Sequence, residues 1–298
     1  MSYRPNAAAR RLRRGASELI ALVLPTEPGQ FNEPLYLQIL GPLGQRLAQA
    51  GYDLTLIASS PGRDELKTYQ RIVEGRRADG LIVVRTRRDD TRVNYLMQRG
   101  VPFVTMGRVE PAAGAPLPFA FVDGDGEAAF FTATSRLIGA GHKRIAHIAA
   151  PAAFNFAHLR KKGYARAMAE AGLEALVLEG VADERNGLAL GAQVLARADR
   201  PTAILCATDR LAFGVFRAAR EAGLSCPRDL SVIGHDNIST GAFTDPPLTT
   251  MELAIERTGA RLAEMILARI GGTDARDLQE VYAVEQVERA STAPPPTR

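Results

Sequence analysis

Five arginines, Arg4, Arg10, Arg11, Arg13 and Arg14, crowd the first fourteen residues with no acidic side chain among them. A guanidinium fork matches phosphate oxygens. The five together exceed the net charge of +4 carried by the whole chain, so the remainder is close to neutral. A basic arm on a neutral body suits the phosphate backbone of a nucleic acid; a solvated tail has the same charge signature. Pro5, the three alanines at 7–9 and a stop at Gly15 favour a short helix, marginal by itself in water. Leu12 is the large apolar side chain among the arginines. So placed, it can wedge between base steps of a minor groove, or pack on the body.

A second group of candidates follows from where ligands gather in parallel sheets, at the carboxyl ends of strands. Asp236 closely follows an apolar run at 230–233, and Thr208-Asp209 follows one at 203–206. Arg85 and Thr86 end a third run, at 80–84, and Tyr36 stands in the slot after the first, where its ring suits a sugar face. Asn155 and Phe156 lie just before Arg160. A guanidinium and a carboxylate together can bracket vicinal hydroxyls. For Arg160 and Asp236 a structural ion pair uses the same two groups.

Other chemistries lack their motifs. The first strand–helix junction, Pro25-Thr26-Glu27-Pro28-Gly29-Gln30, has no Gly-x-Gly-x-x-Gly loop, and there is neither a Gly-x-Ser-x-Gly elbow nor a P-loop. His142 and His147 stand five apart, not at the i, i+4 spacing of a helical zinc pair, and Cys206 and Cys226 have no metal-ligand spacing. No catalytic residue, metal or cofactor is expected, and the chain is not expected to be an enzyme. Two cysteines suit a reduced, cytoplasmic setting. No apolar stretch reaches the length of a membrane span, and the run at 19–24 is too short for a signal peptide.

The elements that must position these residues alternate. Short apolar runs at 19–24, 54–58, 80–84, 103–106, 119–122, 145–149, 203–206 and 230–233 read as strands. Between them, 35–50, 64–75, 91–100, 127–141, 159–172, 188–198 and 210–223 read as amphipathic helices, several ending in Gly; a last helix is expected at 256–270. This alternation predicts an α/β protein with parallel, doubly wound sheets. With 46% hydrophobic residues, 6% aromatics and no Trp, the core must rest on aliphatic side chains. Two sheets fit better than one, divided near Gly141-His142-Lys143-Arg144. The tail 291–298, rich in Pro and Thr, is expected to fray.

Four ordered motifs carry a resemblance that, with the basic segment, covers nearly the whole chain. They are Val122-Asp123-Gly124-Asp125-Gly126-Glu127 with Leu137-Ile138-Gly139-Ala140-Gly141-His142-Lys143-Arg144-Ile145; Arg160-Lys161-Lys162-Gly163-Tyr164; 201–209 with 227–237; and Pro246-Pro247-Leu248-Thr249-Thr250. Together with the basic segment they resemble the LacI/GalR family of transcription regulators, the lac and purine repressors among them. That resemblance implies two subdomains of periplasmic-binding-protein type I with a ligand cleft between them: 16–140 with 254–278, and 141–250 with 279–290. It implies a homodimer, and a hinge helix at 1–15 that places Asn6, Ala9, Arg10, Leu12 and Arg13 on operator DNA. Met1 sits where a helix-turn-helix head should already have ended, so a truncated chain or an incomplete gene start is expected.

The resemblance also implies that Arg160 and Asp236 contact a small-molecule effector, with Tyr36, Arg85, Thr86, Asp125, Asn155, Phe156 and Thr208 completing the set. A repressor sensing a sugar is the leading expectation, and a periplasmic-type sugar-binding protein for transport the alternative. Thr208 stands where the family often has Asn, and Asn237 where a second acid is common. The stretches 85–90 and 155–160 are similar to an α-glucoside-sensing branch of the family.

Overall fold

The computed structural model describes residues 17–26, 34–60, 63–109 and 116–296. The DNA-contact candidates Asn6, Ala9, Arg10, Leu12 and Arg13 lie outside them. The chain divides into two compact units, Met1–Asp123 with Ile255–Glu280, and Gly124–Ala254 with Val281–Arg298.

The first unit is built on a six-stranded sheet in the order β11-β5-β4-β3-β1-β2. Its strands are β1 (Leu19–Pro25), β2 (Asp53–Ser59), β3 (Gly80–Val83), β4 (Phe103–Met106), β5 (Ala120–Gly124) and β11 (Gln279–Tyr282). Strands β1 to β5 pair in parallel. The connecting helices are α1 (Pro34–Gln49), α2 (Arg63–Glu74) and α3 (Thr91–Arg99). Helix α1 buries Tyr36, Ile39, Leu43 and Leu47 on one face, the stripe expected from i, i+3 and i+4 spacing. Asp90 starts α3 by accepting from the amides of Arg92 and Val93, and Gly100 ends it in the left-handed conformation. Helix α8 (Ile255–Ile270) returns to this unit and packs on α1.

The second unit holds a parallel four-stranded sheet in the order β7-β6-β8-β9. Its strands are β6 (Ile145–Ala149), β7 (Leu176–Glu179), β8 (Ala203–Cys206) and β9 (Ser231–Ile233). A short antiparallel pair, β10 (Thr250–Glu252) and β12 (Glu285–Val287), belongs to it as well. Its helices are α4 (Gly126–Gly139), α5 (Asn155–Glu170), α6 (Glu184–Leu195) and α7 (Asp209–Glu221). Two of the boundaries expected from sequence differ here. The division falls at Asp123, not near Gly141, because α4 packs along α5 and sends Phe130, Ala133 and Leu137 into the same core as Ile145 and Leu205. The tail is also bound rather than frayed as far as Ala293: the buried Ser291 hydroxyl donates to Val232 O and accepts from Thr249 N. His142 grips Thr202 and the Ala293 carbonyl.

The Arg160-x-x-Gly163-Tyr164 motif explains how α5 is seated. A β-carbon on Gly163 would overlap the Glu127 carbonyl oxygen of α4, so the two helices approach at backbone contact. One residue on, the Tyr164 hydroxyl donates to Ile145 O at 2.8 Å and accepts from Leu176 N at 2.9 Å, tying α5 to β6 and β7. The clash at Gly163 is with backbone, which no side-chain rotation relieves. Gly163→Ala is therefore expected to destabilise the second unit by about 3 kcal/mol, read as a fall in the urea midpoint at unchanged m-value. A midpoint within experimental error of wild type would show that the helices separate without cost.

Candidate functional site

The order of the second unit's sheet reverses between β6 and β8, and a crevice opens beyond the carboxyl ends of strands at such a switch point. Arg160, on the helix after β6, reaches across it: its guanidinium donates to the carbonyl of Ala207, the residue after β8. Its Nη2 stands 3.8 Å from Asp236 Oδ1, beyond the end of β9. Phe156, one turn earlier on α5, lies under the guanidinium at 4.8 Å, and Phe130 of α4 flanks it at 5.9 Å. Aromatic faces attract a cation most where water is excluded, and Arg160 is only 8% exposed. Asn155 is buried at the head of the same helix, its side-chain oxygen accepting no hydrogen bond among the described residues.

Asp236 is held in an unusual backbone conformation, with φ of 113°, followed by Asn237 at 45°. Such values strain a residue that bears a side chain, and persist only where the surroundings enforce them. The enforcement is visible. Asp236 N donates to Met251 O at 2.9 Å, and Ile238 N to Asp209 Oδ2 at 2.9 Å. Asp209 also accepts from the Thr250 hydroxyl at 2.5 Å. Asn237 bridges two opposite charges, its oxygen accepting from Arg289 and its amide donating to Glu252 at 3.0 Å. An aspartate there would repel Glu252, so this departure from the family pattern is compensated within the loop.

Burial sets the electrostatics. It pushes the Asp236 carboxyl up to about 7, with Arg160 pulling it back down. It pushes Asp209 up to about 7 too, reinforced by the negative charge of Asp236. His235 pairs its Nδ1 with Asp236 Oδ1 at 2.8 Å; burial, then the Arg160 charge, hold it well below the usual imidazole range. Phe130 lies between two buried imidazoles, stacked on His235 and edge-on to His147. Burial lowers His147 to about 4. Both histidines are thus neutral backing for the site.

The other sequence candidates take different places. Thr208 caps α7, its hydroxyl accepting from Leu211 N at 3.4 Å, a role that Asn fills equally well. Asp125 likewise caps α4, accepting from Ala128 N. Tyr36 belongs to the buried face of α1, where the apolar stripe of that helix carries it.

In the first unit, Arg85 follows β3, at the switch point between β1 and β3, with φ of 53°. The buried Thr86 hydroxyl donates to Arg108 O at 2.8 Å. What shapes this loop is a residue missed from sequence. Arg92, 1% exposed, donates to the carbonyls of Val84 and Arg85 and pairs with both Glu65 and Asp90. Two carboxylates around one buried guanidinium satisfy the charge that burial makes costly. Among the described residues no cluster of metal-ligating side chains occurs, and no helix is long and apolar enough to cross a membrane.

Comparison with known proteins agrees with this geometry. The family described as a periplasmic binding protein-like domain matches residues 134–292. The HTH-type transcriptional regulator AglR of Rhizobium meliloti is 34% identical over 99% of this chain and 84% of its own length. A LacI-family regulatory protein from Chloroflexus aggregans superposes with a TM-score of 0.82 at 30% identity, over 93% of this chain and 99% of its own. The solved complex of the transcriptional regulator CelR with cellobiose gives 0.84 at 28% identity, over 97% and 92%. This α/β architecture thus accompanies a sequence similar to these regulators along nearly its full length, and the chain belongs to the LacI family of transcriptional regulators.

Proposed function

We propose that this effector-binding core of a transcriptional regulator senses a sugar, and that Arg160 and Asp236 grip it. The observation that carries the reading is the pairing of a guanidinium and a carboxylate 3.8 Å apart at the switch point of the second unit, over the ring of Phe156. Adjacent sugar hydroxyls need one group that only donates and one that accepts, and an apolar sugar face stacks on an aromatic ring. Buried polar groups built to meet hydroxyls discriminate strongly against ligands that lack them. The CelR neighbour was solved with cellobiose, and AglR and MalR of Streptomyces coelicolor are regulators of similar sequence. An α-glucoside is the sugar class we favour.

The chain works as a homodimer, with no catalytic step and no cofactor, in the cytoplasm where its operator lies. Each unit offers apolar side chains to solvent that self-association would cover: Leu37 and Leu56 on the first, and Val181 and the 88%-exposed Phe243 on the second. The segment with Asn6, Ala9, Arg10, Leu12 and Arg13 makes the DNA contacts, and effector and operator affinities are reciprocally linked.

A thermal-shift screen of sugars and nucleobases tests the effector class. Ligand in hundredfold excess over its Kd stabilises a protein by about 2.7 kcal/mol, so an α-glucoside is expected to raise the melting temperature by several degrees. A purine that does so while every sugar fails overturns the sugar reading.

A further inference from the structure

We propose that the first unit carries a separate binding site for a phosphate group, the phosphoryl of a small organic phosphate or free phosphate itself, with Arg71 as its anchor. The site is a hollow of about 410 Å³ lined by Ala58, Ser59, Ser60, Lys67, Thr68 and Arg71. Two elements build it. Strand β2 delivers Ser59 and Ser60 at its carboxyl end, and helix α2 presents Lys67 and Arg71 one turn apart with Thr68 beside them. The hollow lies at the outer edge of the sheet, since β2 is a terminal strand, away from the switch point between β1 and β3 where Arg85 and Thr86 stand.

The polar groups are built into the fold. Ser59 and Thr68 are both 4% exposed, and their hydroxyls meet at 3.1 Å. Arg71 Nη2 donates to Thr68 Oγ1 at 3.2 Å. A guanidinium has five N–H donors and no acceptor, and that hydroxyl fixes one arm of this one. No carboxylate pairs with Arg71 among the described residues, and none is among the six that line the hollow. In the neighbouring loop, by contrast, the cations Arg92 and Arg87 are met by Glu65 and Asp90.

A guanidinium fork meets phosphate oxygens two at a time, in charge-assisted hydrogen bonds. Hydroxyls such as Ser60 donate to the remaining oxygens. The hollow also exceeds one ion in size and falls in the range of small-ligand pockets, which fits a phosphate ester of a small metabolite. This inference does not depend on the sugar reading, because it concerns a different unit and different residues.

The test is calorimetric titration of the whole chain, at constant ionic strength, with glucose 6-phosphate, inorganic phosphate, sulfate and glucose. Binding of at least one of the two phosphates is expected, tenfold or more weaker in Arg71→Gln and severalfold weaker in Lys67→Met, with wild-type melting temperatures. Ester binding tighter than phosphate assigns the site to an organic phosphate; equal binding assigns it to the free ion. Either outcome supports a phosphate site. Retention in Arg160→Ala separates it from the effector pocket, whose failure would leave this result standing. Four outcomes overturn the proposal: no anion binding up to 10 mM (roughly the weakest affinity that matters beside ordinary ligand constants), undiminished binding in Arg71→Gln, loss of binding in Arg160→Ala, or glucose binding that Arg71→Gln weakens as much as it weakens the ester.

Discussion

Arg160→Ala is expected to abolish binding of the effector sugar, a loss of at least about 100-fold, while the chain stays folded. The guanidinium serves three partners at once: the Ala207 carbonyl, the Asp236 carboxyl and the Phe156 ring. A charge-assisted hydrogen bond to a ligand is worth about 1.5–3 kcal/mol, and truncation also withdraws the cation that keeps Asp236 partly ionised. The fold survives for a specific reason. Asp236 is already pushed up to about 7 by burial, so without Arg160 it takes up a proton instead of standing as an unpaired buried charge. The melting temperature should fall by a few degrees, the cost of the unpaired Ala207 carbonyl and the emptied ring face.

Arg160→Lys separates charge from shape. It keeps the cation but loses the planar fork and the stacked face, and should bind about tenfold more weakly than wild type. Calorimetry with the sugar chosen by the thermal-shift screen reads both variants. Undiminished binding in the alanine variant would remove Arg160 from the site, and equal losses in both variants would show that the fork, not the charge, does the binding.

The sequence carried the parts of this site whose signals are local. Helical spacing and glycine stops located the eight α-helices of the described residues, and the eight apolar runs became strands β1 to β6, β8 and β9. Asp236 and Thr208 were legible as residues beyond strand ends. What escaped had no local signal. Strand β7 spans four residues at a sheet edge, none of them fully buried, and β10 and β12 three each, too short for a periodicity to show. Arg92 and Glu65 lie 27 residues apart and meet only because α2 and α3 flank the same strand end. Asp209 was visible beside Thr208, yet its role as the brace of the Asp236 loop depends on Ile238 and Thr250, which come from two other segments. Tyr36 carried two local signals at once, a position after β1 that suggested a ligand and a place in the apolar stripe of α1 that buries its ring.

The two buried carboxyls make stability and binding depend on pH in opposite directions. Asp209 and Asp236 titrate near 7 in the folded chain and near 3.8 in the unfolded one. Their contribution is therefore fully present below pH 3.8 and is lost as pH rises through about 7. His147 and His235 are depressed, so their contribution is present above 6.5 and lost as pH falls through their lower folded values. Below 6.5 the two effects oppose each other. Between 6.5 and 8 the two carboxyls alone would cost about 1.5 kcal/mol, and the unfolded histidines, still half protonated at 6.5, offset part of that, so the ligand-free chain should lose less than about 1 kcal/mol across that interval. Asp236→Asn should cut the carboxyl part of this slope by more than half, because Asp209 is raised in part by the Asp236 charge.

Effector binding runs the other way. The groups facing Asp236 are the Arg160 cation, neutral His235 and the Asp209 carboxyl. A sugar hydroxyl that donates to the Asp236 carboxylate favours its ionised form, so the bound complex sheds a proton that the free protein holds near pH 7. Affinity should rise severalfold from pH 6 to 8, and calorimetry in PIPES and in Tris should give apparent enthalpies that differ by the heat of that one proton. Affinity falling over the same interval, or an enthalpy independent of buffer, would mean that Asp236 meets the ligand in its protonated form, as donor and not as acceptor.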